Sequence, residues 1–330
     1  MTSEGMKRRE FLKTAATTAM TAALGEFGGD IARAAELAGP IPTRTLGRTG
    51  LKVTMFGLGG YHATLPESED EATRIIHRAL DLGINFFDNA DCYHRDDQRE
   101  NFAEPLPRSA EDRMGKALAG RRKDIYLMTK VDQRDAKGSR LTLERSLRSL
   151  RTDYLDLWQF HGVGKMADLE QIFGPGGAME TAQKAKQEGK IRFIGVTGHS
   201  DPEVHLAFVK RYDFDTIQMP INVVDYHFKS FRRTVVDEAV KRNIGVIAMK
   251  TLSFGNIVSM DVAKVAEALP WSWSQPISVL VSGCDTLERL NYNVYLAKTF
   301  KPMPETEQAA LLERVKPFAG VGVEHHKRTG

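Results

Sequence analysis

The chain contains the stretch Ile84-Asn85-Phe86-Phe87-Asp88. This apolar run ends on the carboxylate of Asp88, and the phenol of Tyr93 follows shortly after it. Two later apolar runs end in a similar way, one on Lys130 and the other on His161. In a closed barrel of parallel strands, the carboxyl ends of the strands meet at one face and carry the catalytic side chains. We therefore expect these four side chains to lie together.

Apolar runs alternate with helical patterns along most of the chain. Eight runs suit strands, at residues 55–59, 84–88, 125–130, 155–161, 193–197, 216–219, 245–250 and 277–283. Apolar runs of this kind are typical of parallel strands that are buried on both faces. Eight strand–helix units favour an α/β fold, a (β/α)8 TIM barrel, over an open doubly wound sheet.

Three further elements are expected around the barrel. Residues 43–53 predict an N-terminal β-hairpin, and residues 305–318 predict an extra C-terminal helix. The helix at residues 262–269 is expected to be short, because Pro270 and Pro276 interrupt the segment before the eighth strand.

The composition limits the class of protein. The chain has 330 residues, of which 42% are hydrophobic and 27% charged, so it can fill the core of a barrel. The net charge is +3 and no long basic run occurs beyond the N-terminus, which argues against nucleic-acid binding. The two cysteines, Cys92 and Cys284, form no CxxC or Cys/His pattern. We therefore expect free thiols and no metal.

The N-terminus resembles an export signal. Residues 7–13 contain the pair Arg8 and Arg9, which is typical of the twin-arginine (Tat) route. An Ala/Thr-rich run follows at residues 14–24 and is too short to span a bilayer. The small residues at 32–34 predict cleavage before Ala35. A retained anchor and a short amphipathic helix are the alternatives.

These features predict four regions. A twin-arginine signal peptide covers residues 1–34, a linker covers residues 35–43, the barrel covers residues 44–320 and a flexible tail covers residues 321–330. The protein is then expected to engage the Tat translocase and to act in the periplasm, or otherwise outside the cytoplasm, without a stable membrane span.

The four polar residues at the strand ends can perform acid–base chemistry. A phenol has a pKa of about 10, so Tyr93 is neutral near pH 7 and can donate a proton to a carbonyl oxygen. The ammonium of Lys130 is expected to lower the pKa of Tyr93, and Asp88 is expected to pair with Lys130. His161 is expected to donate a hydrogen bond to the substrate oxygen.

The same motifs resemble the aldo/keto reductase superfamily over residues 44–300. The matching segments are the hairpin at 44–53, the Asp/Tyr motif at 87–93, the lysine strand at 128–130, the histidine strand at 153–161 and the stretch at 189–196. The resemblance implies NAD(P)(H)-dependent interconversion of a carbonyl and an alcohol. Tyr93 would be the general acid or base, Lys130 and Asp88 would tune it, and His161 would position the small-molecule substrate.

The resemblance also implies a cofactor site. The matching positions are Thr197, Gln218, Met249, Lys250, Leu252, Gly283, Asp285, Arg289 and Asn293. Gly198 stands where the family often has asparagine, and Met249 stands where it often has an aromatic ring. Lys250 is expected either to pair with the pyrophosphate or to be a solvated lysine. Asp285 would repel a 2′-phosphate, although Arg289 would partly compensate, so the choice between NAD and NADP stays open.

Two properties of the substrate site follow. Residues 94–108 carry both charge signs and either line a polar pocket for a sugar-like substrate or form a solvated loop. Export predicts a tightly held cofactor, or one recycled by paired oxidation and reduction on the same enzyme, because free nicotinamide is scarce outside the cytoplasm. Two other functions stay open, a nicotinamide-binding sensor on the same barrel and a cofactor-free hydrolase or lyase that uses Asp88 and His161.

Overall fold

The centre of the computed structural model, which describes residues 30–93 and 107–328, is a closed barrel of eight parallel strands. Two short strands precede the barrel, β1 (Thr43–Thr45) and β2 (Lys52–Thr54). The barrel strands are β3 (Phe56–Gly59), β4 (Phe86–Asp88), β5 (Tyr126–Val131), β6 (Leu155–Phe160), β7 (Ile191–Thr197), β8 (Thr216–Pro220), β9 (Gly245–Met249) and β10 (Val279–Gly283). They pair in chain order, and β10 closes the barrel against β3. The predicted (β/α)8 barrel is confirmed, and each predicted run overlaps one observed strand.

Helices surround the barrel. They are α1 (Ile31–Leu37), α2 (Gly60–Ala63), α3 (Glu69–Asp81), α4 (Ala110–Ala117), α5 (Ala136–Ser149), α6 (Met166–Phe173), α7 (Ala178–Gln187), α8 (Pro202–Arg211), α9 (Asp237–Lys241), α10 (Asn256–Ser259), α11 (Val265–Trp273), α12 (Leu287–Lys298) and α13 (Glu305–Val315). The expected C-terminal helix is α13, continued by a 3₁₀ turn at Lys316–Phe318. Among the described helices, none combines the length and the apolar content that a bilayer crossing needs.

Helix α11 differs from the expected short segment, because it continues through Pro270 to Trp273. Proline removes one backbone donor from a helix interior, which is destabilising. Trp271 and Trp273 follow it directly and are each only 1% exposed. The indole nitrogen of Trp273 also donates to the carbonyl oxygen of Met55 at 3.0 Å. The burial of two large rings therefore offsets the proline, which the local sequence pattern did not indicate.

The β1–β2 hairpin closes the amino-terminal end of the barrel. Its apolar residues Leu46 and Leu51 pack with side chains from the barrel floor, among them Phe86 and Ile247. Gly47 has a φ of +49°, and a Cβ there would lie 2.2 Å from the backbone nitrogen of Gly245. The turn therefore requires glycine at position 47, and the hairpin lies at the end of the barrel opposite the strand exits.

Helix α1 packs on the outside of the barrel. Asp30 caps it by accepting from the backbone N–H of Arg33 at 3.1 Å, and Ala35 is fully buried. Arg78 donates to the Glu36 carboxylate at 2.6 Å, and Lys298 donates to the Ala35 carbonyl at 2.8 Å. The segment expected to be a linker is therefore packed against the domain. The twin-arginine motif lies outside the described residues, and the position predicted for cleavage lies inside α1.

The C-terminal segment expected to be flexible is also packed as far as Arg328. Lys327 is fully buried, and its ammonium contacts the carboxylates of Asp225 at 2.6 Å and Glu324 at 2.9 Å. It also donates to the carbonyl of Phe228 at 2.7 Å. The expectation of a loose tail is therefore wrong for residues 321–328, because a buried charge network holds them.

We predict that Lys327→Ala strongly destabilises the protein. The change leaves the carboxylates of Asp225 and Glu324 buried without their cation, which typically costs about 3–5 kcal/mol. The free energy of unfolding from urea denaturation measures the effect. The matched control is Arg328→Ala, because Arg328 is exposed, and it should change the stability by no more than about 0.5 kcal/mol. Equal midpoints for the two variants would contradict the proposed contribution of this network.

Candidate active site

Asp88, Lys130 and Tyr93 form a connected group at the carboxyl ends of the strands. Asp88 ends β4, and Lys130 lies in β5 beside it. The Lys130 ammonium, which is 1% exposed, bonds to the Asp88 carboxylate and to the carbonyl of Asn89 at 2.6 Å. It also lies 3.2 Å from the Tyr93 hydroxyl oxygen. The structure therefore brings together the carboxylate, ammonium and phenol that the sequence indicated.

The effect of this group on Tyr93 differs from the expectation. We expected Lys130 to lower the pKa of Tyr93. Burial, together with the nearby Asp88 carboxylate, instead raises the pKa of Tyr93 well above its usual range. Asp88 lies next to Lys130 and counters its charge. The phenol is consequently a firmly protonated hydrogen-bond donor in the absence of any bound molecule.

His161 faces Tyr93 and is held by a residue that the sequence reasoning missed. The rings of His161 and Tyr93 are 5.9 Å apart in an edge-to-face arrangement. The Nδ1 atom of His161 lies 2.9 Å from Oδ1 of Asp132 and 3.4 Å from Sγ of Cys92. Cys92 also hydrogen-bonds Asp132. Thus one nitrogen of His161 is committed to an Asp132–Cys92 group beside the catalytic candidates.

The protonation states of this group follow from its surroundings. Burial disfavours the Asp132 carboxylate, but hydrogen bonds from His161 and Cys92 outweigh that cost and lower the pKa of Asp132 to about 2. Burial lowers the pKa of His161, so its imidazole is neutral at pH 7. Burial and the Asp132 charge raise the pKa of the Cys92 thiol. The site therefore contains a carboxylate, a neutral imidazole and a thiol.

Asp132 fixes the tautomer of His161. An ionised carboxylate can only accept hydrogen bonds, so Nδ1 of His161 carries the hydrogen. In a neutral imidazole, Nε2 then has a lone pair and no hydrogen. Nε2 has no protein partner within residues 30–93 and 107–328. His161 therefore presents an acceptor, whereas the sequence analysis expected a donor.

The position of Asp132 near the site could have been predicted from the sequence. It lies two positions after Lys130 and one after the end of β5, and alternate residues of a strand face the same side. The approach to His161 follows from strand pairing, because β5 and β6 are neighbours with Val131 opposite Phe160. The Cys92 contact spans 69 positions and has no equivalent pattern.

The positions matched to a cofactor site lie at or near the same end of the barrel. Thr197, Met249 and Gly283 end β7, β9 and β10, and Gln218 lies in β8. The Thr197 hydroxyl and the Gln218 side-chain oxygen are buried and have no hydrogen-bond partner within the described part of the chain. Buried polar atoms without partners are uncommon and suit a bound polar group. The donors and acceptors here fit a nicotinamide carboxamide.

Gly198 shows why the family's asparagine is absent here. A Cβ at this position would lie 2.1 Å from the Val163 carbonyl oxygen and 2.6 Å from the His205 ring. No side chain can therefore point from position 198 without moving the neighbouring backbone. The contacts that this asparagine makes in other members of the family must come from other residues here or be lost.

Lys250 directly follows β9 and is partly buried. Burial, with a further effect of the Lys130 charge, lowers its pKa to about 8. Its ammonium lies 4.7 Å from the centre of the Phe254 ring and 4.0 Å from Met249 Sδ. Lys250 is thus not the freely solvated lysine that the sequence left open. Leu252, in the turn that follows, is partly buried against the core.

Asp285, which precedes α12, and Arg289, in the first turn of that helix, form an ion pair with 2.5 Å between Oδ1 and Nη1. Both side chains are more than a quarter exposed. Asn293, one turn further on, is buried and directs its amide nitrogen to Ser282 Oγ at 3.4 Å. The sequence-predicted pair is therefore accessible to a ligand, whereas Asn293 also supports the end of β10.

Three further predictions concern the cysteines, the charged loop and the absence of a metal site. Cys92 and Cys284 are free thiols, as expected. Most of the charged loop at residues 94–108 lies outside the described residues, so its role remains a prediction. Cys92, Asp132 and His161 form a group of potential metal ligands, which the expectation of no metal site did not anticipate.

Comparisons with known proteins agree with this geometry. Residues 55–265 match the aldo/keto reductase family. L-galactose dehydrogenase of Arabidopsis thaliana is 34% identical over 225 residues, covering 65% of this chain and 66% of the plant protein. The 6-dehydroglucose reductase of Novosphingobium aromaticivorans is 28% identical over 248 residues, covering 70% of this chain and 77% of that protein.

A solved structure shows the same fold over a longer span. The holo form of the aldo-keto reductase AKR11C1 from Bacillus halodurans has a TM-score of 0.69 and 25% identity. The similarity covers 87% of this chain and 100% of that chain. The family match, the closed barrel and the group at its strand ends give one conclusion: the chain belongs to the aldo/keto reductase family and is an NAD(P)-dependent oxidoreductase.

Proposed function

We propose that the protein interconverts a carbonyl and an alcohol on a sugar-like substrate, with Tyr93 as the proton donor or acceptor. The observation that carries the proposal is the buried Asp88–Lys130 pair, whose ammonium lies 3.2 Å from the Tyr93 hydroxyl. This pair orients the phenol at the end of the barrel where family members carry out their chemistry. A cofactor-free hydrolase or lyase would leave the buried oxygens of Thr197 and Gln218 without a partner.

The direction of proton transfer follows from the state of Tyr93. When bound, the nicotinamide supplies or accepts the hydride. The raised pKa keeps Tyr93 protonated, which suits donation to a carbonyl oxygen during reduction. Oxidation would require a bound molecule to lower that pKa. The free protein is therefore better prepared for reduction.

The acceptor on His161 supports a hydroxylated substrate. A carbonyl oxygen accepts a hydrogen bond from Tyr93 but cannot donate one to Nε2 of His161. A hydroxyl group on the neighbouring carbon can donate to it, so the two side chains complement a hydroxy-carbonyl compound. Two relatives are named for sugar substrates, L-galactose and 6-dehydroglucose. Together these features support a sugar or a similar polyol.

The cofactor proposal rests on two buried oxygens without hydrogen-bond partners and on the charge of Asp285. Thr197 and Gln218 would hold the carboxamide, because their oxygens are buried without partners. Asp285 would determine the choice between NAD and NADP, since its carboxylate repels a 2′-phosphate and occupies the guanidinium of Arg289. We infer that the cofactor is tightly held and that Asp285 favours NAD.

Export by the twin-arginine route remains part of the proposal. The pair Arg8 and Arg9 supports it. Cleavage before Ala35 would remove the first turn of α1, in which Arg78 donates to the Ala32 carbonyl at 3.1 Å. A periplasmic enzyme is expected in either case, with the signal cleaved or retained.

We predict that Tyr93→Phe abolishes most of the hydride transfer and preserves cofactor binding. Loss of the proton donor should lower kcat/KM by about 10²–10⁴-fold. Stopped-flow oxidation of the reduced nicotinamide with an aldose or a hydroxy ketone measures the rate, and fluorescence titration measures the cofactor Kd. Tyr61→Phe is the matched control, because Tyr61 packs 5.4 Å from Tyr93 and has no assigned role. Undiminished turnover in the Tyr93 variant would exclude the proposed role.

We predict that Asp285→Asn shifts cofactor preference toward NADP. Removing the carboxylate ends its repulsion of the 2′-phosphate and releases Arg289 to contact that group. The ratio of the NADP to the NAD Kd should fall by roughly tenfold, which corresponds to about 1.4 kcal/mol. Glu288→Gln is the control, since Glu288 is exposed on the same helix. A proportional change in both Kd values would show that Asp285 does not discriminate.

We predict that replacing Arg8 and Arg9 with lysine retains the protein in the cytoplasm. Immunoblots of cell fractions from the native host measure its location. N-terminal sequencing of the exported protein distinguishes cleavage before Ala35 from a retained anchor. Normal export of the double variant would argue against the twin-arginine route.

A further inference from the structure

Three different metal-ligating atoms converge beside the substrate site. The Cys92 sulfur, an Asp132 carboxylate oxygen and the Nδ1 atom of His161 all lie within 4.8 Å of one another. Nδ1 is 2.9 Å from Oδ1 of Asp132 and 3.4 Å from Sγ of Cys92. The group combines sulfur, nitrogen and oxygen donors, which is more specific than a cluster of acidic side chains.

These spacings are close to those of a tetrahedral zinc site. Zinc binds cysteine sulfur at about 2.3 Å and histidine nitrogen or carboxylate oxygen at about 2.0–2.2 Å, so neighbouring ligand atoms are separated by about 3.3–3.6 Å. The sulfur–nitrogen distance already falls in that range. The nitrogen–oxygen distance needs to open by only a few tenths of an ångström. Side-chain rotation of the half-exposed Asp132 is enough for that change.

The backbone holds the three residues in place independently of any metal. Asp132 directly follows β5, and His161 directly follows β6. The backbone N–H of His161 donates to the Val131 carbonyl oxygen at 2.8 Å, which ties the two strand ends together. Cys92 lies in the turn after β4, the strand that pairs with β5 on its other side. Ligands on adjacent strand ends are more precisely placed than ligands on long loops.

Asp132 supplies the negative charge for a cation, against the positive charges of Lys130 and Lys250 that also act on His161. Asp132 has no lysine or arginine within ion-pair distance in the described ranges. Arg134, which is the nearest arginine in sequence, donates instead to Asp168 at 3.0 Å. Lys130 is engaged by Asp88. All three ligands are half-buried, so an ion can reach them from solvent and is then partly shielded by the protein.

We propose that Cys92, Asp132 and His161 bind a zinc ion, with a water molecule at the fourth position. On binding, the sulfur–hydrogen bond of Cys92 breaks, the proton passes to solvent and the sulfur bonds to zinc. Three protein ligands with one open position form a common zinc arrangement. The zinc site stands on the geometry of its three ligands, whereas its effect on substrate recognition rests on the proposed function.

Zinc at this site would reverse the hydrogen-bonding character of His161. In the metal-free protein, Nδ1 carries the hydrogen and Nε2 is an acceptor. Coordination requires the Nδ1 lone pair, so the neutral ring must then carry its hydrogen on Nε2. The Nε2 atom of His161 then changes from an acceptor to a donor. Zinc therefore acts as a switch of substrate recognition, disfavouring a hydroxyl donor and favouring an acceptor at that position.

Cobalt titration of the full-length protein, purified with a chelator, tests the site. Cobalt replaces zinc and reports a thiolate ligand by a sulfur-to-cobalt charge-transfer band. We expect this band in the wild type, its displacement by one equivalent of zinc, and its absence in Cys92→Ser. Zinc affinity of that variant should fall by more than about 100-fold, because loss of an outer partner alone typically costs about 10–100-fold. Cys284→Ser is the matched control and should retain the band.

Two further measurements keep the test decisive. Circular dichroism and thermal melting establish that the Cys92→Ser variant is folded. Nitrogen-15 NMR of the histidine rings, with a His161→Gln spectrum for assignment, should show the hydrogen moving from Nδ1 to Nε2 when zinc is added. A cobalt spectrum that lacks the charge-transfer band, or that is identical in the wild type and Cys92→Ser, would overturn the site. If zinc binds but the hydrogen of His161 stays on Nδ1, the proposed change of His161 from acceptor to donor is wrong.

Discussion

The ion pair between Asp88 and Lys130 is the interaction on which the rest of the site depends. Both groups are almost inaccessible to solvent, and either one alone would be a buried charge without a partner. Because they come from neighbouring strands, the pair also fixes how those strands meet at the carboxyl end. The Tyr93 hydroxyl contacts the paired ammonium of Lys130. Burial and the Asp88 charge keep the Tyr93 phenol protonated. Barrel geometry and acid–base chemistry are therefore set by the same contact.

The two groups that we propose to contact the substrate, Tyr93 and His161, have complementary hydrogen-bonding characters. Tyr93 is a donor, because burial keeps the phenol protonated, and His161 is an acceptor, because Asp132 holds the hydrogen on the opposite nitrogen. Neither property belongs to the residue type itself. A different partner for His161 would give a donor, and a less buried Tyr93 would ionise more easily. In the proposed site, neighbouring residues such as Asp88 and Asp132 thus set the hydrogen-bonding character of Tyr93 and His161.

The sequence predicted the parts of the structure that depend on local patterns. Apolar runs ending in Asp88, Lys130 and His161 located the strands and the site together, since strand exits converge in a closed barrel. Asp132 could have been found by the two-residue period of a strand. The direction of the Tyr93 pKa shift could not, because it depends on the balance between burial, Asp88 and Lys130 in three dimensions. The packed tail was missed for a similar reason: Lys327 pairs with Asp225 across 102 positions.

The buried Lys327 makes residues 321–328 part of the domain interior. Its ammonium is the cation that Asp225 and Glu324 share, although all eight barrel strands lie outside this segment. A barrel with every strand in place would therefore still contain an unbalanced buried charge if this segment were detached. The stability of the domain is thus set in part by a segment that contributes no strand to it.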